Sequence, residues 1–433
     1  MSKKISNKIN NKISNKISNK LFGILLVLSL LFTAGCASVN GGNPTSLGGN
    51  PASLEQVDGS KIPTSDYTAA PGNSENDIDP ITPEALSDFN LETIQGNIRN
   101  IVYADNEKVF ILADKLYLYD LEAGNVSAET EIDVFDSVNF WTVQNGYVAA
   151  GIQMNAGTGS GMMAVSNSNY SCIFYDHNLN KVSEFDLNSL LDDGDMILSV
   201  NDMISFSSDG NKIAFTTLSG MYVYDFAGKQ KTTIIDLTSE DAEARSGICG
   251  FEKIGFTNND KSIAFLAQSF DLPAVKEQYS FPTYGIVNID GSGLSNKKSD
   301  SIEPKALTVY NNLMLLTEDD LSMTGKVLLM KTPGGEIKTQ DLRENNESGF
   351  VYGSTSGGYF ASALANDTLT EWNLRIYNME TGGFEAEIPI SNNGQPLYMA
   401  LTRIIIIDST RTCVAAFGVN QSDMETKLIS FKF

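Results

Sequence analysis

The sequence predicts an all-β domain over residues 86–433, a ring of four-stranded antiparallel sheets, and three observations predict it. Past residue 95 the apolar residues come in short β-rich runs, broken by Asn, Asp, Gly and Ser about every eight to twelve residues, without extended helical periodicity. One strand type recurs with a characteristic ending, at Tyr119, Tyr175, Tyr224, Ile289, Met330, Tyr377 and Phe431, and its six steps average 52 residues. A short polar turn ahead of the preceding strand recurs independently near Asn106, Asn145, Asp209, Asn259, Asn311, Gly357 and Thr410, with a mean step of about 51 residues. Two unlike markers agree in period and number, and four strands with their turns fill about 50 residues. The expected architecture is a seven-bladed β-propeller of four-stranded antiparallel blades.

Ahead of that domain, Lys4, Lys8, Lys12, Lys16 and Lys20 precede an apolar run from Leu21 to Thr33. A basic stretch followed by roughly a dozen apolar residues reads as a secretory signal, because a spanning helix needs about 20. The run ends in Thr33, Ala34, Gly35 and Cys36, which resembles the bacterial lipobox, with Thr33 where Leu is usual. The resemblance implies a signal peptide over residues 1–35 and a diacylglycerol on Cys36, which becomes the mature N-terminus. Ordinary signal cleavage near Ala34 is the alternative. Two or more acyl chains give stable membrane attachment, so the expected location is the cell envelope, on the outer face of the membrane.

Residues 36–85 are dominated by Gly, Ser, Asn, Pro and Thr, with the near-repeat G-G-N-P-T-S-L and G-G-N-P-A-S-L over residues 41–54. Such a composition buries too little apolar surface to offset its ordering entropy, so it reads as a flexible tether. A coil of that length averages about 40 Å end to end and extends to about 160 Å.

Charge narrows the function. The 433 residues carry 30 basic and 53 acidic side chains, a net of -23. Residues 1–35 hold six lysines and no acid, which leaves 24 basic against 53 acidic groups, a net of -29, on the remainder. That excludes a general nucleic-acid binder, whose affinity comes from Lys and Arg displacing counterions. It also argues against adhesion of the folded body to anionic lipid heads. A monomer is expected.

Within the ring, the best-preserved units are F-S-S-D-G-N-K-I-A-F at Phe206 to Phe215 and F-T-N-N-D-K-S-I-A-F at Phe256 to Phe265. Asp209 and Gly210 make a tight hairpin, while Ile213 and Phe215 share one face of the next strand. These units resemble the TolB-like propeller repeats, in which such a hairpin precedes a strand ending in a pair like Tyr224 and Asp225. The Gly-His and Trp-Asp marks of WD repeats are absent, so the resemblance bears on architecture more than subfamily. Residues 397–433 supply about three strands. The fourth is assigned to Asp88–Ile94, which closes the sheet edge; an open final blade of three strands is the alternative.

In such a ring, first-to-second and third-to-fourth turns share one end. Second-to-third connections and sheet-to-sheet links share the other. Long connections concentrate at the second end: Gln153 to Ser171, Gln268 to Thr283, Thr317 to Gly325, Leu364 to Glu371 and Val419 to Thr426. Ala113 to Lys115 and Thr217 to Gly220 are tight. Acids gather there too, at Asp192, Asp193, Asp195 and Asp202, at Glu240, Asp241 and Glu243, and at Glu318, Asp319 and Asp320. These residues form the candidate ligand-binding face, where a negative potential favours cations or a basic partner segment; the bland alternative is solvated charge.

No metal or cofactor is expected. The Asp192–Asp195 cluster lacks the spacing of an EF-hand loop, and N-I-D-G-S-G at Asn288 to Gly293 reads as a hairpin turn. His177, the one histidine, lies in a hairpin beside Asp176. Gly157 to Gly161 lacks nucleophile-elbow spacing, and neither a Walker A nor a dinucleotide fingerprint occurs. Trp141 and Trp372 sit in strand-like runs and read as core. Cys172, Cys249 and Cys413 lack metal-ligand spacing and read as three buried thiols, with one disulfide plus one free thiol as the alternative. The expected function is a non-catalytic binding module for a protein, peptide or envelope glycan. The alternatives are a polysaccharide-acting enzyme using axial carboxylates and an envelope-assembly scaffold.

Overall fold

The computed structural model describes Phe89 and residues 91–433, except 106, 133–134, 155–167, 271–279, 319–324, 333–334, 344–346, 354–356, 367, 392–393, 398–403 and 421–424. The signal segment, Cys36 and the tether lie outside the described residues. Those described fall in one compact unit, Ile78–Phe433.

Six four-stranded antiparallel meanders follow one another along the chain. Blade one is β1 (Asn100–Tyr103), β2 (Lys108–Leu112), β3 (Leu116–Asp120) and β4 (Asn125–Thr130); blade two is β5 (Ser137–Val143), β6 (Gly146–Gln153), β7 (Asn169–Tyr175) and β8 (Lys181–Asp186). Blade three is β9 (Ile204–Phe206), β10 (Lys212–Thr216), β11 (Gly220–Asp225) and β12 (Gln230–Asp236); blade four is β13 (Ile248–Thr257), β14 (Ser262–Ser269), β15 (Phe281–Asn288) and β16 (Ser295–Lys297). Blade five is β17 (Ala306–Tyr310), β18 (Leu313–Thr317), β19 (Lys326–Lys331) and β20 (Gly335–Asp341); blade six is β21 (Ser348–Gly353), β22 (Tyr359–Ala365), β23 (Glu371–Asn378) and β24 (Phe384–Ser391). A terminal sheet, β25 (Ile404–Ile407), β26 (Thr412–Asn420) and β27 (Glu425–Lys432), has three strands. The domain is a β-propeller.

This corrects the expectation of seven four-stranded blades: six blades are complete, and the last repeat stops at three strands. The fourth strand assigned to Asp88–Ile94 does not form among the described residues. Leu91 and Ile94 instead close a turn through Ile94 N donating to Leu91 O at 3.0 Å, and Gly96 follows at φ +77. The segment contributes side chains rather than backbone pairing. Phe89 packs 5.1 Å from the Tyr119 ring and joins a core shared by Ile101, Val109, Val414 and Leu428.

Each sheet buries both faces against its neighbours, which explains why the middle strands read as continuous apolar runs. On β10, Ile213 and Phe215 belong to the cluster shared with blade two, whereas Ala214 belongs to the one shared with blade four. Burying one such Phe side chain contributes about 1.5–3 kcal/mol. The hairpin before β10 is set by Gly210 at φ +73 and by Asp209, which accepts from Ser207 Oγ and Asn211 N. Adjacent first hairpins are stitched together: Gln144 N donates to Ser208 O, Ser208 N to Asp260 Oδ2, and Asn258 N to Asn311 O. Among the described residues, no helix is long and apolar enough to cross a membrane.

Candidate functional site

The described sequence-predicted acids lie at the end that carries the links, and five of those eight are already engaged. Asp192 pairs with Lys231 at 3.2 Å. Asp195 accepts from Thr217 Oγ1 at 2.6 Å, which ties the link to the tight turn of blade three. Asp241 accepts from the backbone of Glu243 and Ala244, capping its own turn. Asp193, Glu240 and Glu243 are exposed. Glu318 pairs with Lys326 at 3.4 Å and accepts from Glu303 N at 2.8 Å. Asp319 and Asp320 lie outside the described residues, as does most of the connections after β6, β14, β18 and β26. No cluster of potential metal ligands occurs among the described residues.

Asp202 leads to a site that sequence reasoning missed. Its backbone carbonyl accepts from Ile254 N at 2.8 Å and its carboxylate pairs with Lys253 at 3.2 Å, so the link before β9 is bound to the inner strand of blade four. That strand, β13, is the longest inner strand and its register with β14 shifts twice, between Ile248 and Gly250 and between Phe251 and Lys253. The residues dropped from the ladder are Cys249 and Glu252. A bulge of this kind re-aims a side chain, and bulges concentrate beside functional sites.

Glu252 is half-buried and accepts from Gln268 Nε2 at 2.6 Å. Cys249 donates its thiol to Gln268 O at 3.3 Å, so one β14 residue serves both bulges. Desolvation pushes the Glu252 carboxyl above the usual carboxylate range; Gln268 and Lys305 act against this shift, while Asp202 and Glu303 add to it. Glu303 pairs with Lys305 at 2.7 Å at the start of blade five. The links before β9 and before β17 therefore bring Asp202, paired with Lys253, and Glu303, paired with Lys305, close enough to act on Glu252. Glu252 differs from both neighbours in having a neutral amide as its hydrogen-bond partner. The one sequence signal was the unusual F-E-K inside an otherwise apolar inner strand.

Two further polar atoms sit under the same end of blade four. Arg245 Nε and Asn296 Oδ1 are buried without a hydrogen-bond partner, although Arg245 Nη1 reaches Leu237 O and Asn296 Nδ2 donates to Ser246 O and Ser269 Oγ. Buried polar atoms of this kind are rare and call for an explanation such as an absent partner.

The remaining candidates resolve as structure. His177 packs edge-on against Tyr147, with ring centroids 5.6 Å apart, in a turn closed by Asp176 N donating to Asn180 O at 3.0 Å. The Asn288–Gly293 segment is a hairpin in which Asp290 accepts from Ser292 N and Oγ. Trp372 is buried with its indole N–H on Leu397 O, while Trp141 is half-buried against Phe206 at 5.1 Å. All three described cysteines are free; Cys172 and Cys413 are buried and Cys249 is half-buried.

No protein-family model matches the chain, and no curated protein matches it. Solved structures similar to it include the β-propeller domain of Cps50 (Swd1) from Myceliophteria thermophila, at 10% identity over 77% of this chain and 96% of that one, with a TM-score of 0.47. Hydrazine synthase from Kuenenia stuttgartiensis is similar at 12% identity over 78% of this chain and 97% of that one, with a TM-score of 0.43. Raptor from Chaetomium thermophilum is similar at 9% identity over 78% of this chain, which spans 28% of the Raptor chain, with a TM-score of 0.47.

Proposed function

We propose that this chain is a lipid-anchored propeller of the cell envelope that acts as a non-catalytic binding module, taking a protein, peptide or envelope glycan at the end formed by its links and second-to-third connections. The lipobox-like Thr33–Cys36 and the tether composition support the anchoring, and the F-S-S-D-G-N-K-I-A-F unit supports a TolB-like subfamily. The binding reading is carried by one observation: the two register breaks of β13 turn Glu252 and Cys249 out of the ladder at the link end. A photo-crosslinking residue at Leu218, 45% exposed at the same end, tests it against one at Glu122, exposed at the opposite end. Capture of a partner in cells from Leu218 and not from Glu122 is the expected result; equal capture, or none, overturns it.

A glycan-cleaving reading has one observation in its favour, since a half-buried carboxyl held above its usual range suits a general acid. Incubation with wall and capsular glycans separates the two. New reducing ends that disappear in Glu252→Gln establish the enzyme.

A further inference from the structure

Resting on that binding reading, the geometry points to a cationic ligand group, the ammonium of a lysine side chain on a basic partner segment, that docks on Glu252 at the link end of β13 with its ligand donors replacing or joining Gln268.

The argument is one of matched and unmatched charge. Around Glu252, Asp202 has Lys253 at 3.2 Å and Glu303 has Lys305 at 2.7 Å. At the same end, Glu318 in the connection after β18 has Lys326 at 3.4 Å, and Glu347 in the link before β21 has Arg375 at 2.8 Å. Among the described residues Glu252 differs from these carboxylates in having no ion-pair partner: its hydrogen bond comes from the neutral Gln268 amide, and Lys305 acts on it only at longer range. A carboxylate removed from water is costly unless a cation or several donors meet it. The bulge that turns Glu252 out of the β13–β14 ladder is itself a local departure from regular pairing. A fold needing only a filler at this position has a cheaper solution in an apolar residue, as at Phe251 and Ile254 on the same strand.

The chain as a whole fits such a partner. The residues after 35 carry a net of -29, which attracts a basic segment at long range. Long-range attraction gives no position, however. Position comes from the ion pairs nearby: Asp202 and Glu303 already hold lysines, which leaves Glu252 as the acceptor for a single incoming ammonium.

The test uses the whole chain with hexalysine as probe and its fully acetylated form as control, at physiological ionic strength so that diffuse attraction is screened. Glu252→Gln preserves shape and removes a desolvated charge, so this variant folds. Expected is saturable binding of hexalysine, no binding of the acetylated peptide, at least a tenfold loss in Glu252→Gln, and less than a twofold change in Glu122→Gln at the opposite end. Equal losses in both variants, or no loss in Glu252→Gln, or no binding at all, overturn the inference. If the Leu218 crosslinker still captures a partner in any of those cases, the binding-module reading stands and only the ligand chemistry falls.

Discussion

Arg375 on β23 grips Glu347, just ahead of β21, through two parallel bonds, Nη1 to Oε2 at 2.8 Å and Nη2 to Oε1 at 3.0 Å. The arginine is 4% exposed, and its Nε lies 3.4 Å from Glu387 on the outer strand. One guanidinium thus connects the link, the third strand and the fourth strand of blade six. Planar two-point geometry of this kind suits Arg and not Lys. Removing one partner strands a charge in the interior, so Arg375→Met is expected to destabilise the domain by about 3 kcal/mol. Urea unfolding measures it, and a loss under about 1 kcal/mol rejects the pair as a fastening.

Blade four carries a steric constraint at Gly285. A Cβ there meets Ser295 O at 2.2 Å and the Phe265 ring at 2.3 Å. Glycine is required because the outer strand and a core ring both press on this backbone, not because of a special φ. Gly285→Ala is expected to cost about 1–3 kcal/mol by overpacking, read as a lower thermal midpoint.

The pH dependence of Glu252 follows from its burial. Its folded-state carboxyl titrates above the unfolded one, so folding favours the protonated form. The stabilising contribution is complete below the unfolded value and is lost as pH rises through the folded one. Glu252→Gln removes that loss. Its stability gain over the parent is therefore expected to be small near pH 4 and larger near pH 7, measured as urea midpoints at each. A gain that shrinks with rising pH contradicts the assignment.

Thiol reactivity separates the three cysteines of the propeller. Burial pushes the Cys249 thiol up to about 11 and pushes Cys172 and Cys413 higher still. A thiol-disulfide reagent at mildly alkaline pH is expected to modify Cys249 first, about a hundredfold more slowly than a free thiol, with the other two reacting on unfolding. Prompt native-state reaction of Cys413 contradicts its place in the core.

Much of the strand order was legible because each sheet is a local meander. Tyr119, Tyr175 and Tyr224 fall in the last two positions of third strands and Asp209–Gly210 forms a first hairpin, all from patterns within about ten residues. The final sheet was misread because pairing with its outer strand needs a contact hundreds of residues away, and Phe89 satisfies its apolar demand without extended backbone. Acids were easy to find but their partners were not: Asp195 and Thr217 are 22 residues apart and Asp202 and Lys253 are 51, distances over which composition says nothing. Glu252 was hidden for a related reason, since F-E-K marks charge inside an apolar strand but not the bulge that turns Glu252 out of the ladder.

The junction between the terminal sheet and β1 has a mechanical meaning. Here Ile405, Val414 and Leu428 meet Ile101, Val109 and Phe89 through apolar side chains, whereas the first hairpins of blades four and five share a backbone bond, Asn258 N to Asn311 O. Phe89 thus fastens the start of the domain to its last sheet by contact that is apolar and non-directional. A pull on the chain ahead of Phe89 is therefore delivered to the junction of the first and last sheets before it reaches the other blades.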